Sequence, residues 1–318
     1  MGVHVARYTR AGKIEWGVVR EGMAYAVPGD YTSLADFIER GKRIALELDI
    51  GADVAIDELN FMSPVTAPCN IICQGLNYGD HLAETGGNAE KPPFNLLFMK
   101  APSSLSGPND DIVRPRGVRL LDYELELGLV VGSPITKRTT VTRDNLIDYI
   151  AGIVISNDVS ARDVQIPQGQ WFKGKSFRTF CPTGPYLYLL DANDVERLHD
   201  LEIRLEVNGE MRQQSNTKQL LYGPAETLTE LSGVMDLCPG DLIQTGTPGG
   251  VAVSAPSAAV QRVMRFVMNE KKLMKLFVKR QSENPKFLKD GDVLRLTMRS
   301  ADGAIDLGVM ETRVVAES

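Results

Sequence analysis

Residues 120–132 read LLDYELELGLVVG, an apolar run that carries acids on alternate positions, Asp122, Glu124 and Glu126. Side chains alternate across a strand, so an extended segment here puts Leu121, Tyr123, Leu125, Leu127 and Leu129 on one face and the acids on the other. One reading is an amphipathic strand with a wet acidic face. Against it, neighbouring like charges on one face repel, and the segment runs straight into GLVVG. The competing reading is a buried face on which a cation sits between carboxylates. A further acid, Asp158, directly follows the apolar stretch YIAGIVISN. Carboxylates from both places, with no Cys or His ligand, specify a hard cation: Mg2+ first, with Mn2+ or Ca2+ as alternatives. Asp158 also fits a turn or helix cap, because NDVSARD reads as a helix start.

The 318-residue chain has room for one large domain, or for a main domain and a smaller one. Its 43% hydrophobic and 24% charged residues suit a soluble globular protein, and a net charge of −6 argues against a nucleic-acid partner. No apolar run reaches the length of a membrane span, and the first residues, MGVHVARYTRAGKIEWG, lack the apolar core of a signal peptide. Cys69 and Cys73 are spaced C-x3-C, and the chain has only three histidines, which argues against a Cys/His zinc site. The four cysteines read as reduced, mostly buried thiols of a cytoplasmic protein.

VHVARYT, IEWGVVR and MAYAV read as strands, and SLADFIERGKRIALELD as a helix capped by Ser33. The two prolines of FMSPVTAP mark a boundary between a small N-terminal α/β domain (1–65) and one large domain (66–318). Short strands dominate thereafter, giving a β-rich α+β fold. Three further pieces carry chemistry. His81 and Glu84 form H-x-x-E, which on a helix lets a carboxylate orient an imidazole base; a surface helical turn explains it equally. TGGNAEKPP, just after it, suits the hinge of a loop. Lys175 lies beside aromatic residues in GQWFKGKSF, where a solvated lysine is the default. TGTPGG (245–250) offers backbone N–H groups to an anion, or is simply a tight turn.

Taken in order, GLNYGDHLAE, LDYELELGLVVG, SNDVSARDVQ, KGKSF and CPGDLIQTGTPGGV resemble the fumarylacetoacetate hydrolase family, from about Cys69 to Val251 and again near FLKDGDVLRL. The resemblance implies a mixed β-roll catalytic domain, usually a homodimer, with a divalent metal held by Glu124, Glu126 and Asp158. Asp122 falls outside that ligand pattern, as a supporting or solvated residue. By the same resemblance His81 and Glu84 match a water-activating dyad on a lid. Lys175 and Gln165 match residues that contact substrate oxygens, and Thr247, with Gly246 beside it, a further substrate contact. The activity so implied is hydrolysis of a C–C bond in a 2,4-dioxo acid of the acylpyruvate or fumarylpyruvate kind, as in aromatic catabolism. The alternatives are a decarboxylase of oxaloacetate type, a dehydratase or an isomerase on the same scaffold, and lastly a non-catalytic metal-binding protein. The expected partner is a small 2-oxo acid, with no membrane or nucleic acid.

The sequence also departs from its relatives. Leu76 stands where many have Arg, and Arg178 stands where GLNY-type relatives carry an acid; Arg178 either pairs with another acid, receives an extra anionic substrate group, or is solvated. Between GGVAVSAP and NPKFLKDGD lies an insertion at about residues 256–282, in which Val260, Val263, Met264, Val267, Met274, Phe277 and Val278 trace an amphipathic helix broken near Asn269. Seven Lys or Arg face one Glu between residues 262 and 280, a pattern that also suits a membrane surface or partner. The favoured expectation is packing on its own domain, or on a dimer mate, near the site entrance.

Overall fold

The computed structural model describes residues 2–48, 53–84, 90–254 and 270–318. Two large sheets and a two-stranded pair carry the described residues. The larger runs, neighbour to neighbour, through Asp53–Ala55, Met23–Ala26, Lys13–Arg20, Val3–Arg10, Cys181–Leu189, Ile150–Asn157, Leu125–Val131, Leu242–Gln244, Ile71–Gly75 and Leu96–Lys100. The smaller runs through Glu210–Asn216, Leu201–Val207, Val293–Ser300, Asp306–Ala316 and Ile112–Arg114. Helices are short and lie around these sheets, so the fold is β-rich α+β, as the strand pattern predicts.

The two sheets bury their strands differently. Leu201–Val207 and Val293–Ser300 alternate between core and surface, as strands with one wet face do. Leu125–Val131 and Ile150–Asn157 are buried at every position. The wet-face reading of the acidic strand is therefore wrong, and its acids sit inside the protein. The segment is also not one strand. Leu121–Asp122 pairs with Ser160–Ala161, the chain breaks at Tyr123 and Glu124, and Leu125–Val131 resumes in the large sheet.

At the N-terminus the three expected strands form, and Ser33 caps the following helix by accepting a hydrogen bond from the Asp36 N–H at 3.2 Å. That helix passes through a π turn at Phe37–Gly41, where Phe37 stacks on Trp16 at 4.3 Å. Val3–Arg10 pairs with Cys181–Leu189, so these strands continue the large sheet.

Strand direction builds the site. Leu242–Gln244 lies parallel to Ile71–Gly75, so the segments leaving both strands, TGTPGG and LNYGDH, emerge on one rim. Leu125–Val131 is antiparallel to Leu242–Gln244 and to Ile150–Asn157, which brings its first residues and Asp158 to that same rim.

Candidate active site

Glu124, Glu126 and Asp158 converge where the central strands end, each offering a carboxylate oxygen within 4.8 Å of the others. Backbone pairing fixes this. The Asp158 N–H donates to the Glu124 carbonyl at 2.9 Å, the Asn157 side-chain oxygen accepts from the Glu124 N–H at 3.0 Å, and Glu126 lies opposite Ser156. Asp158 is not a helix cap. The helix Arg162–Gln168 starts four residues later and has no side-chain cap.

Cations are interleaved with these acids. Lys175 Nζ donates to Glu124 Oε2 at 2.8 Å and to Asp158 Oδ2 at 2.5 Å. Lys100, at the end of the strand Leu96–Lys100, takes the other Asp158 oxygen and donates to the Phe180 carbonyl at 2.6 Å. Arg162 holds Glu124 Oε1, donates to Asp122 Oδ2 at 2.9 Å and to Gln165 Oε1 at 2.9 Å. Asp122 is fully buried, not solvated: it also accepts from the Ala252 and Val253 N–H groups at 2.8 and 3.0 Å. Its work is to orient Arg162 and to pin the loop after TGTPGG.

Among the described residues, the buried acids Asp122, Glu124 and Asp158 each have a cationic partner, whereas Glu126 has only the Gly246 N–H at 2.7 Å. Burial, then Asp158 and Glu124 beside it, push the Glu126 carboxyl well above the usual carboxylate range. Burial would also raise Glu124, but Arg162 and Lys175 outweigh it and hold that group well below the range. Burial would lower the Lys175 ammonium, yet Asp158 and Glu124 carry it above the ordinary lysine value. A site with one buried acid lacking a cation, and only oxygen donors converging, fits a hard divalent cation.

The rim loops are stitched to one another. Asn77 donates to the Thr245 carbonyl at 2.8 Å and to the Tyr222 carbonyl at 3.0 Å. Gly246 has φ +88°, and a Cβ there would meet the Asn77 Cβ at 2.7 Å, so the loop needs glycine. Leu76 adopts φ +55° where the strand Ile71–Gly75 turns toward the helix Gly79–Glu84, a conformation a branched side chain rarely takes. Gln213, from the small sheet, accepts from the Leu125 N–H at 2.9 Å and donates to Thr247 Oγ1 at 2.8 Å.

His81 and Glu84 sit on the helix Gly79–Glu84, with His81 Nδ1 3.8 Å from Glu84 Oε2 and without a hydrogen-bond partner among the described residues. Glu84 is braced by the Gly250 N–H at 2.9 and 3.0 Å. The proposed hinge TGGNAEKPP falls largely on residues 85–89, outside the described residues.

A cavity of about 510 Å3 reaches the cluster at Glu124 and is lined also by His81, Arg162, Gln165, Lys175 and Thr247. Gly246 contributes its N–H to Glu126, and the Thr247 hydroxyl is engaged with the Leu125 carbonyl at 2.9 Å. Arg178 is exposed and does not line the cavity. The insertion contributes the helix Glu270–Gln281, which packs on its own domain through Phe277 and Val278 and lines the cavity through Met274 and Phe277. Its expected residues Val260, Val263, Met264 and Val267 lie outside the described residues. Lys100, Arg162 and Gln213 were not singled out from the sequence. Arg162 sits inside SNDVSARDVQ, between the acid and Gln165, whereas a lysine ending an apolar run and a glutamine in a polar strand gave weak signals.

Residues 70–315 match the family model for the fumarylacetoacetate (FAA) hydrolase C-terminal domain. The mitochondrial oxaloacetate tautomerase Fahd2a of Rattus norvegicus is 36% identical over 230 residues, 70% of each chain. A 2,4-didehydro-3-deoxy-L-rhamnonate hydrolase of a Sphingomonas species is 40% identical over 222 residues, 68% of this chain and 75% of that one. The solved structure of a fumarylacetoacetate hydrolase from Exiguobacterium antarcticum superposes with a TM-score of 0.76 at 33% identity, covering 99% of this chain and all of that one.

Proposed function

This chain belongs to the fumarylacetoacetate hydrolase family, and from that premise we propose that it cleaves a C–C bond of a 2,4-dioxo acid with water, giving a 2-oxo acid and a carboxylic acid. The observation that carries the reading is that His81, with Glu84 behind it, shares one cavity with Glu124 and Lys175. Glu124, Glu126 and Asp158 would hold the divalent cation, Mg2+ first, with Mn2+ or Ca2+ as alternatives. When bound, that ion supplies a Lewis acid for the charge that builds up as the bond breaks.

The chain's own residues do the rest. His81 takes the proton from the attacking water at Nε2, with Nδ1–H directed to Glu84, whose carboxylate is fixed by Gly250. Lys175 keeps its proton, because two carboxylates hold it, and so offers positive charge to the oxyanion. Arg162 presents Gln165 to the cavity by donating to its side-chain oxygen, which leaves the amide N–H groups to meet a substrate oxygen. The apolar residues around them limit water to what His81 can direct.

A second reading is tautomerisation of oxaloacetate, favoured by the rat relative named for that activity. It needs proton transfer but no attacking water. Incubation with acetylpyruvate, fumarylpyruvate or oxaloacetate, with Mg2+ or with EDTA, separates them. Metal-dependent release of pyruvate and carboxylic acid in equal amounts, lost in His81→Ala, is the expected result. Conversion of oxaloacetate between keto and enol forms with no cleavage of either acylpyruvate overturns the hydrolase reading.

A further inference from the structure

The cavity is larger than its chemistry requires. About 510 Å3 lies within the ~300–1,000 Å3 of sites that enclose drug-sized ligands, and a three-carbon oxo acid fills a small part of that. The polar groups described above make up only part of its lining. Most of the remainder is apolar, with Phe98 and Trp171 packed edge to face at 5.0 Å and Leu273, Met274 and Phe277 contributed by the insertion helix, although Gln74, Ser254, Arg280 and Gln281 also line it.

That helix is seated by specific ties. Gln281 Nε2 donates to the Ser254 carbonyl at 2.6 Å, and Asn284 Nδ2 donates to the Ala252 carbonyl at 2.8 Å. The Ala252 and Val253 N–H groups are in turn held by Asp122. The wall is thus coupled to the same carboxylate that orients Arg162. Its one charged contribution to the cavity, Arg280, is exposed.

We propose that the insertion helix selects substrates whose distal substituent is an uncharged apolar group, an alkyl chain or an aryl ring, received between Leu273, Met274 and Phe277 on one side and Phe98 and Trp171 on the other. This rests on the reading above that a 2-oxo acid head binds at the carboxylate cluster. The physical basis is transfer: each methylene moved from water into such a compartment strengthens binding by about fourfold, the equivalent of ~0.8 kcal/mol. A distal carboxylate would lose its hydration there, and the buried cation beside the compartment, Lys175, 5.3 Å from the Phe98 ring, is already engaged by Glu124 and Asp158.

The test needs no turnover. The chain has two tryptophans, and Trp16 is buried against Phe37 in the N-terminal core, so quenching on ligand addition reports on Trp171. In the full chain with Mg2+, titration of pyruvate, 2-oxobutanoate, 2-oxohexanoate and 2-oxooctanoate is expected to show Kd falling about fourfold per methylene until the compartment is full. 2-Oxohexanoate is expected to bind at least tenfold more tightly than 2-oxoadipate, its six-carbon counterpart with a terminal carboxylate. Met274→Ala and Phe277→Ala should each flatten the chain-length dependence while leaving pyruvate affinity within about twofold. Lys279→Ala, exposed on the same helix and away from the cavity, controls for damage to the helix and should keep the full dependence.

A flat series in the unaltered protein, with pyruvate still bound, overturns the apolar compartment and leaves the hydrolase reading standing. Tighter binding of 2-oxoadipate, lost in Arg280→Ala, overturns it in favour of a dianionic substrate. No Mg2+-dependent binding of any 2-oxo acid overturns the head-group reading and this inference with it.

Discussion

The carboxylate cup and the insertion wall face each other across one cavity and are held by opposite means. The cup is knit by charge: Asp122, Glu124 and Asp158 against Arg162, Lys175 and Lys100, nearly all fully buried, the acids and Lys100 at or beside strand ends and Arg162 and Lys175 on the short helices Arg162–Gln168 and Trp171–Lys175. The wall is a half-exposed helix held by apolar contacts and the side-chain tie from Gln281, with the Asn284 tie just beyond it. Chemistry that needs groups fixed to a fraction of an ångström sits on the rigid part. Fit to a variable part of the substrate sits on the part that can be altered without touching the charges.

That contrast can be broken most sharply at Asp158. Asp158→Ala strands Lys100 and Lys175 without an acid they share, so a loss of ~3–5 kcal/mol in denaturant unfolding is expected. Turnover should fall about a thousandfold or more if the cation is lost with it. Asp122→Ala is the next largest. It removes one of the two carboxylates on Arg162 and the acceptor for two backbone N–H groups, and should cost ~3 kcal/mol, read from the same unfolding curves.

Glu126→Gln sharpens the comparison by sign. A buried acid whose folded pKa is raised favours the folded state below about pH 4.3, its unfolded value, and penalises it progressively as pH rises toward the folded value. The amide should therefore raise the unfolding midpoint of metal-free protein at neutral pH and shrink its slope against pH. Mg2+ is expected to raise the unfolding midpoint of the unaltered protein and to leave that of this variant unchanged. Gln281→Ala, on the wall, is the smallest: one hydrogen bond, ~1 kcal/mol, with no change in the pH or Mg2+ dependence of unfolding. If Gln281→Ala instead shifted both dependences, the two regions would not be separable.

Much of the cup was legible in the sequence because its carboxylates sit in a local pattern. Acids at alternate positions of an apolar segment, and another at the end of an apolar strand, are visible without a fold. The role of Asp122 was not. It continues the alternation with Glu124 and Glu126, but the chain breaks after it, and its partners, Arg162 and the 252–253 backbone, come from distant segments. Lys100 reaches Asp158 only because the strand Leu96–Lys100 lies beside Ile71–Gly75, a pairing that its own residues do not announce. The strand Glu210–Asn216 was missed for a related reason. EMRQQSN is polar but for Met211, and it is extended because Leu201–Val207 pairs with it. For the insertion, hydrophobic spacing pointed to a helix, but which face meets the cavity depends on where Ser254 and Asn284 anchor it.

Those anchors also say something about chain length. Ala252 and Asn284 touch through a 2.8 Å hydrogen bond, so the two ends of the intervening segment lie close together. A segment whose ends are already close places little tension on its surroundings, and the entropy of closing it changes only as the logarithm of its length, ~0.6 kcal/mol per doubling. Residues between these points can be lengthened, shortened or replaced by a brief turn while the strands that present Glu124, Glu126 and Asp158 keep their register. The domain thus tolerates a change of wall as a graft, and a family built on one cup can be fitted with many.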